Sequence, residues 1–156
     1  DRNIMADVSE TATTWTNLLP LYEDSLADID RAICNTGVAS WVGCHVSHSY
    51  PTGASLYFTF GCLQRAGREI DQYLHIKKAA EDAFMKNGGT LSHHHAVGTE
   101  HLPWVEEDVS PTGLKAVRAV KEGLDPRGIM NPGKIIPPAD PFKAWGLSGE
   151  ALGRFT

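Results

Sequence analysis

Apolar residues recur at steps of three and four from Trp15 through Leu18, Leu19, Tyr22, Leu26, Ile29 and Ile33. That spacing predicts one face of a helix, with Thr13 or Thr14 as N-cap and Asn35-Thr36-Gly37 as its stop. Pro20 is tolerated only near the first turn, so the helix proper is expected to start after Trp15. Two β-rich runs follow, Val38 to Val46 and Ala54 to Cys62, separated by the turn-forming stretch Ser49-Tyr50-Pro51-Thr52-Gly53. A second helix is expected from Arg68 to Lys86, with Ile70, Tyr73, Leu74, Lys77, Ala80 and Phe84 on one side. Asn87-Gly88-Gly89 supplies the glycine that ends it. Ser110-Pro111 opens a third helix whose apolar stripe is Leu114, Val117, Val120 and Leu124. Turns follow at Asp125-Pro126-Arg127-Gly128 and Asn131-Pro132-Gly133-Lys134. The order predicts an α+β fold, an antiparallel sheet with packed helices followed by a small helical segment. The expected division is a domain over residues 1–137 and a C-terminal tail over 138–156, with isolated apolar residues at Phe142, Trp145, Leu152 and Phe155.

Composition narrows the class. A chain of 156 residues with 42% apolar and 21% charged residues has the make-up of one globular domain. The formal net charge of −5, with no local Lys/Arg cluster, argues against binding nucleic acid or an anionic membrane through general electrostatics. No apolar run reaches the ~18–20 residues of a membrane span. The chain opens at Asp1 with no apolar signal-peptide stretch behind it, and the expectation is a piece of a longer protein. Cys34, Cys44 and Cys62 are odd in number and irregular in spacing, which predicts buried thiols in the cytoplasm rather than a disulfide framework or a zinc ribbon.

Six of the seven histidines fall in two short segments: His45 and His48 upstream, and His93-His94-His95 with His101 downstream. A solvated polar loop is the plainest account of such a run. Imidazoles this close cannot all carry charge comfortably, so at least one is expected to titrate below its free value, as suits a base, a hydrogen-bond donor or a metal ligand. Adjacent residues of an extended chain point to opposite faces, so at most His93 and His95 are expected to share a site. With no carboxylate placed to complete a known ligand triad, spacing gives little for a metal. Tyr57, mid-strand between Leu56 and Phe58, reads by position first as a half-buried β tyrosine. From the residues alone, the chain carries a His-rich site beside a sheet.

The order of motifs resembles a known family. Ser-Glu-Thr-Ala-Thr-Thr-Trp at 9–15, Cys-His-Val-Ser-His-Ser-Tyr-Pro-Thr-Gly-Ala-Ser-Leu-Tyr-Phe-Thr-Phe at 44–60 and Asn-Gly-Gly-Thr-Leu-Ser-His-His-His-Ala-Val-Gly at 87–98 resemble the C-terminal part of alkyldihydroxyacetonephosphate synthases. These are FAD-linked oxidases of the vanillyl-alcohol oxidase type. Leu-Asp-Pro-Arg-Gly-Ile-Met-Asn-Pro-Gly-Lys at 124–134 resembles a C-terminal signature of that wider superfamily, although the synthases do not keep Asn-Pro-Gly-Lys in this form.

The resemblance implies a cap whose antiparallel sheet and helices lie over the isoalloxazine of FAD, and a partner in an N-terminal FAD-binding domain of the same protein. It implies catalytic roles for Tyr57, His94 and His95, and places His93, Asn131 and Lys134 on the cofactor side. The implied reaction exchanges the acyl group of acyl-dihydroxyacetone phosphate for a fatty alcohol through a flavin N5 adduct, a step in ether lipid synthesis, and the piece alone is expected to be inactive. A homodimer and peripheral membrane association through a lipid substrate are compatible with it. Within the superfamily, D-2-hydroxyacid dehydrogenases hold a divalent metal with two His and one Glu. The corresponding positions here are Tyr50, Tyr57 and His94, so no catalytic metal is expected. The alternatives are an FAD-dependent 2-hydroxyacid dehydrogenase or alcohol oxidase and, from another class, a non-catalytic domain binding metal through its histidines.

Overall fold

The structure, a computed structural model, describes residues 3–142. Its elements run β1 (Ile4–Thr14), α1 (Leu18–Asn35), β2 (Ser40–Ser49), β3 (Gly53–Leu63), α2 (Glu69–Lys86) and α3 (Val105–Leu124), with short 3-10 turns before α1 and α3. β2 and β3 form the expected hairpin, closed by the Tyr50 N–H donating to the Gly53 carbonyl at 2.8 Å. β1 pairs antiparallel with the other edge of β3, giving the order β1-β3-β2. The fold is the expected α+β arrangement, an antiparallel sheet with packed helices.

β1 escapes the hydrophobic pattern for a physical reason. Strand residues alternate faces, and the side of β1 turned toward the helices carries Met5, Asp7, Ser9 and Thr11, of which only Met5 is apolar. The polar members are satisfied instead of being greased: Lys77, 3% exposed on α2, donates to the Val8 carbonyl and Ser9 Oγ and pairs with Asp7 at 3.3 Å. Thr11 Oγ1 donates to the Thr90 carbonyl at 2.7 Å. A polar face held by such hydrogen bonds and an ion pair folds as well as an apolar one, but it leaves no periodic signature.

α1 begins at Leu18, after Trp15, with Pro20 in its first turn, where a missing N–H costs nothing. The expected Thr13 or Thr14 cap does not form as such: Thr14 makes no side-chain cap bond, and Asn17 Nδ2 donates to Thr13 Oγ1 and the Asn87 carbonyl. α1 and α2 cover one face of the sheet, enclosing Leu21, Ile29, Ile33, Leu56, Phe58, Phe60, Ile76 and Phe84. α2 ends where expected, Gly88 taking φ +71°. A Cβ on Gly89 would fall 2.4 Å from Thr11 Oγ1, so only glycine lets the chain pass so close to β1.

A second, smaller core gathers Leu91, Trp104, Val105 and Leu114, with Phe142 edge-on to Trp104 at 5.6 Å. α3 breaks at Ser110, where φ is +68°, and Ser110 Oγ accepts from Gly113 N–H just ahead of Pro111, as a cap should. Of the expected α3 stripe only Leu114 is buried; Val117, Val120 and Leu124 are exposed. Trp145, Leu152 and Phe155 lie outside the described residues.

Candidate functional site

The helices cover one face of the sheet; the site lies on the other. On that face the cross-strand register sets Glu10, Tyr57 and His45 in one row and Ala12, Ser55 and His48 in the next. Regular alternation would turn His48 toward the helices together with Val46. A bulge between Val46 and His48 inserts one residue and brings His48 opposite Ser55, the usual effect of a bulge on side-chain aim. Beyond Tyr57 the rows are Val8, Thr59 and Gly43, then Ala6, Gly61 and Trp41. They are small apart from Val8 and the 61% exposed Trp41.

The triple histidine is a tight turn wrapped on one carboxylate. Glu10 Oε1 accepts Ser92 Oγ at 2.8 Å and the backbone N–H groups of His93, His94 and His95 at 2.7, 2.8 and 3.0 Å. Oε2 accepts Ser55 Oγ at 3.4 Å. Burial alone would raise the Glu10 pKa, but the His94 N–H, the Ser92 hydroxyl and the His95 and His93 N–H groups outweigh it and hold the carboxyl below its ordinary value. A carboxylate gathering successive N–H groups is the inverse of an anion-binding nest supplied by a ligand: here the anion is the protein's own. Glu10 is 2% exposed and comes from the strand that the hydrophobic pattern does not show. The only available signal is that Ser9-Glu10-Thr11 lies in a stretch of family resemblance.

Because the turn is not extended, neighbouring histidines converge, correcting the expectation that only His93 and His95 share a site. His93 Nδ1 and His94 Nδ1 are 3.1 Å apart, and His48 stands 5.0 Å, ring centre to ring centre, from each of those two imidazoles. Tyr57 has His94 stacked at 6.2 Å, His95 edge-on at 5.4 Å and His45 at 5.2 Å. Tyr50 Oη and His93 Nε2 share a hydrogen bond of 2.8 Å. Burial, with the nearby His94, Lys77 and His101, lowers the pKa of His95 in spite of Glu10, so it is neutral at neutral pH. Tyr57, His93, His94 and His95 are thus brought together. Asn131 and Lys134 line a different hollow, of about 440 Å³, with Val117, Val120 and Leu124 of α3.

The donor set suits a flavin. One phenol and several imidazoles border rows of mostly small side chains on the sheet face away from α1 and α2, which offers a flat ring both contact and hydrogen bonds. Metal-ligand geometry also occurs here: Glu10, His94 and His95, and separately His48, His93 and His94, each bring one ligand atom per residue within 4.8 Å of the others. The carboxylate that spacing does not reveal is Glu10, though it is already committed to backbone.

The profile of the family described as FAD linked oxidases, C-terminal domain, matches residues 1–135. Alkyldihydroxyacetonephosphate synthase of Dictyostelium discoideum is 38% identical over 137 residues, covering 88% of this chain and 22% of its own length. The synthase of Trypanosoma brucei brucei is 36% identical, covering 86% and 22%. The glycolate oxidase subunit GlcD of Bacillus subtilis is 29% identical, covering 85% and 26%. A solved structure of alkyldihydroxyacetonephosphate synthase superposes with a TM-score of 0.59 at 31% identity, over 85% of this chain and 21% of that one. The chain therefore spans about a fifth of the length of these synthases. It belongs to the FAD-linked oxidases as a C-terminal domain of that family, whose cofactor is FAD.

Proposed function

We propose that this domain serves, with an N-terminal FAD-binding domain, as the substrate-facing cap of an alkyldihydroxyacetonephosphate synthase-type enzyme, exchanging the acyl group of acyl-dihydroxyacetone phosphate for a fatty alcohol. The observation that carries the reading is Tyr57 on the sheet face away from α1 and α2, bracketed by His94 and His95. Such an exchange needs a proton removed from the substrate carbon and later returned to it, and the proton of the incoming alcohol taken up and passed to the departing carboxylate. A phenol beside a neutral imidazole suits that traffic. Among the described residues the Tyr57 hydroxyl has no hydrogen-bond partner, so it is available to a substrate, whereas His95 is held neutral and ready to accept. FAD supplies the electron-accepting ring at which the carbon centre is handled. This chain's residues orient the substrate against it, exclude water and move protons. Tyr57, His94 and His95 are the proposed catalytic residues; His93, Asn131 and Lys134 are proposed on the cofactor side.

A second reading within the family, a 2-hydroxyacid dehydrogenase or alcohol oxidase, draws on the likeness to GlcD and to a mitochondrial D-lactate dehydrogenase of Arabidopsis thaliana, 42% identical over 50 residues. Against it, Tyr50 and Tyr57 occupy the positions where such dehydrogenases are expected to carry metal-binding histidines. Anaerobic addition of substrates to the full-length holoenzyme, followed at the flavin absorption bands, separates the two. A synthase releases fatty acid and incorporates labelled alcohol with no net flavin reduction. Full bleaching by a 2-hydroxy acid, with an oxo acid released, would overturn the synthase reading.

A further inference from the structure

The histidines do more than flank Tyr57. His48, His93 and His94 come from two separate parts of the chain, and one ring nitrogen of each lies within 4.8 Å of the other two. The Nδ1 atoms of His93 and His94 are 3.1 Å apart, close to the separation that two ~2.0–2.1 Å zinc–nitrogen bonds span at a tetrahedral angle. Two imidazole nitrogens facing at that distance need a proton or a metal ion between them.

Each outer imidazole is also held in the orientation a ligand needs. Ser55 Oγ donates to Glu10 Oε2 and Ser47 Oγ donates to Ser55 Oγ, so Ser47 has only its lone pairs left for His48 Nδ1, 3.1 Å away. The relay from the buried carboxylate thereby places the proton of His48 on Nδ1 and leaves Nε2 with a free lone pair. His93 is set in the same way by Tyr50, whose oxygen can accept from Nε2 while Nδ1 faces His94. Bound histidines are ordinarily supported by such outer partners. The alternative trio of Glu10, His94 and His95 is less suited, because Glu10 Oε1 is spent on four donors and Oε2 accepts from Ser55, although Oε2 also stands 3.4 Å from His94 Nδ1.

We propose that His48, His93 and His94 form an inhibitory site for a borderline divalent transition metal of the zinc class, three imidazoles with the fourth position open to solvent. The site differs from the positions 50, 57 and 94 considered for a catalytic metal. Occupation ties His94 to the cation beside Tyr57 and stops its part in proton transfer. The inhibitory half rests on the catalytic reading of His94; the binding half does not.

The test uses the full-length holoenzyme, stripped with chelator, desalted and titrated with zinc chloride by calorimetry and by rate in parallel. The expected result is one equivalent bound per chain, with activity lost in step with occupancy and restored by chelator. His48→Ala removes an exposed ligand and is expected to weaken zinc binding and zinc inhibition by at least about tenfold while keeping the zinc-free rate. Absence of stoichiometric binding, or equal binding by wild type and His48→Ala, overturns the site. Binding that His48→Ala weakens, without loss of rate, overturns the inhibition alone. If the enzyme shows no alcohol exchange, calorimetry still decides the site, so failure of the synthase reading is told apart from failure of this one.

Discussion

Glu10 and Tyr57 face each other directly across β1 and β3. The anion that gathers the histidine turn and the phenol which that turn flanks are therefore cross-strand neighbours, held in register by the sheet. Such a pairing fixes the distance between backbone scaffold and reacting groups more tightly than a free loop allows. His94 and His95 are thus tied to their place beside Tyr57 through the N–H groups they give to Glu10.

Removing that carboxylate is expected to damage the site more than any change to the imidazoles themselves. Glu10→Ala strands the Ser92 and Ser55 hydroxyls and the His93 and His94 N–H groups, and leaves the His95 N–H with Ser92 Oγ alone, which corresponds to about 2–4 kcal/mol of stability and about a hundredfold or more in rate as the turn loosens. Glu10→Gln keeps a carbonyl oxygen for the N–H groups, so its loss of stability is expected to be smaller than that of Glu10→Ala. Thermal unfolding and turnover of the two variants give the check. An Ala variant as stable and active as the wild type means that other contacts hold the turn.

Tyr57→Phe tests the phenol alone. Its hydroxyl has no partner among the described residues, so thermal stability and flavin content are expected to stay unchanged. The exchange rate is expected to fall by ~10²–10⁴, the usual worth of a positioned proton-transfer group. A fully active Phe variant marks Tyr57 as a packed strand residue, and flavin content with the melting curve shows whether a dead one is merely unfolded.

His95 is exposed, so truncation to alanine is expected to cost within ~0.5 kcal/mol of stability. Activity should nevertheless fall on the scale of a lost acid–base group, ~10²-fold or more. Parallel melting and rate measurements decide between roles: a large drop in melting temperature with little loss of rate assigns His95 to structure.

The hairpin, α1 and α2 are legible because each turns an apolar face to the core at a recognisable period, half-buried at Val42 and Cys44 of β2, and the glycine stop before the histidines because Gly88 takes a positive φ. β1 is not, since Asp7, Ser9 and Thr11 replace that face with polar groups satisfied by Lys77 and Thr90. The clustering of Tyr57 with His94 and His95 follows from motif resemblance, whereas the convergence of His93 with His94 does not. That convergence depends on the turn around Glu10, a contact 83 residues apart in the chain at His93, and no local pattern reports it. Nor does periodicity show the bulge that re-aims His48. Asn131 and Lys134 stand on a separate hollow, beside an α3 face whose Val117, Val120 and Leu124 are exposed in this chain.

A last expectation concerns pH and the second titratable group under the site. His101 Nε2 stands 3.5 Å from the fully buried Glu81 carboxylate, and its Nδ1 hydrogen-bonds the Ala96 carbonyl at 2.7 Å, tying the segment after the histidines to α2. Burial alone would lower the His101 pKa, but the Glu81 carboxylate and the Ala96 carbonyl raise it above its ordinary 6.5. Burial raises Glu81 in turn, against the pull of His101 and Lys77 and with the push of Glu100. A histidine raised on folding stabilises fully below its unfolded pKa and loses that contribution as pH rises through the folded value. His75 and His95 are shifted downward and act with the opposite sign, so the wild-type melting curve alone mixes the contributions. Comparison with His101→Gln isolates the pair, because the other two remain in both proteins. The stability advantage of wild type over the variant is expected to be largest below pH ~6.5 and to shrink as pH rises past it. Thermal unfolding of both proteins from pH 5.5 to about 8.5 measures this. A difference that stays constant, or grows with pH, means that His101 is neutral in the folded protein and holds Ala96 by its hydrogen bond alone.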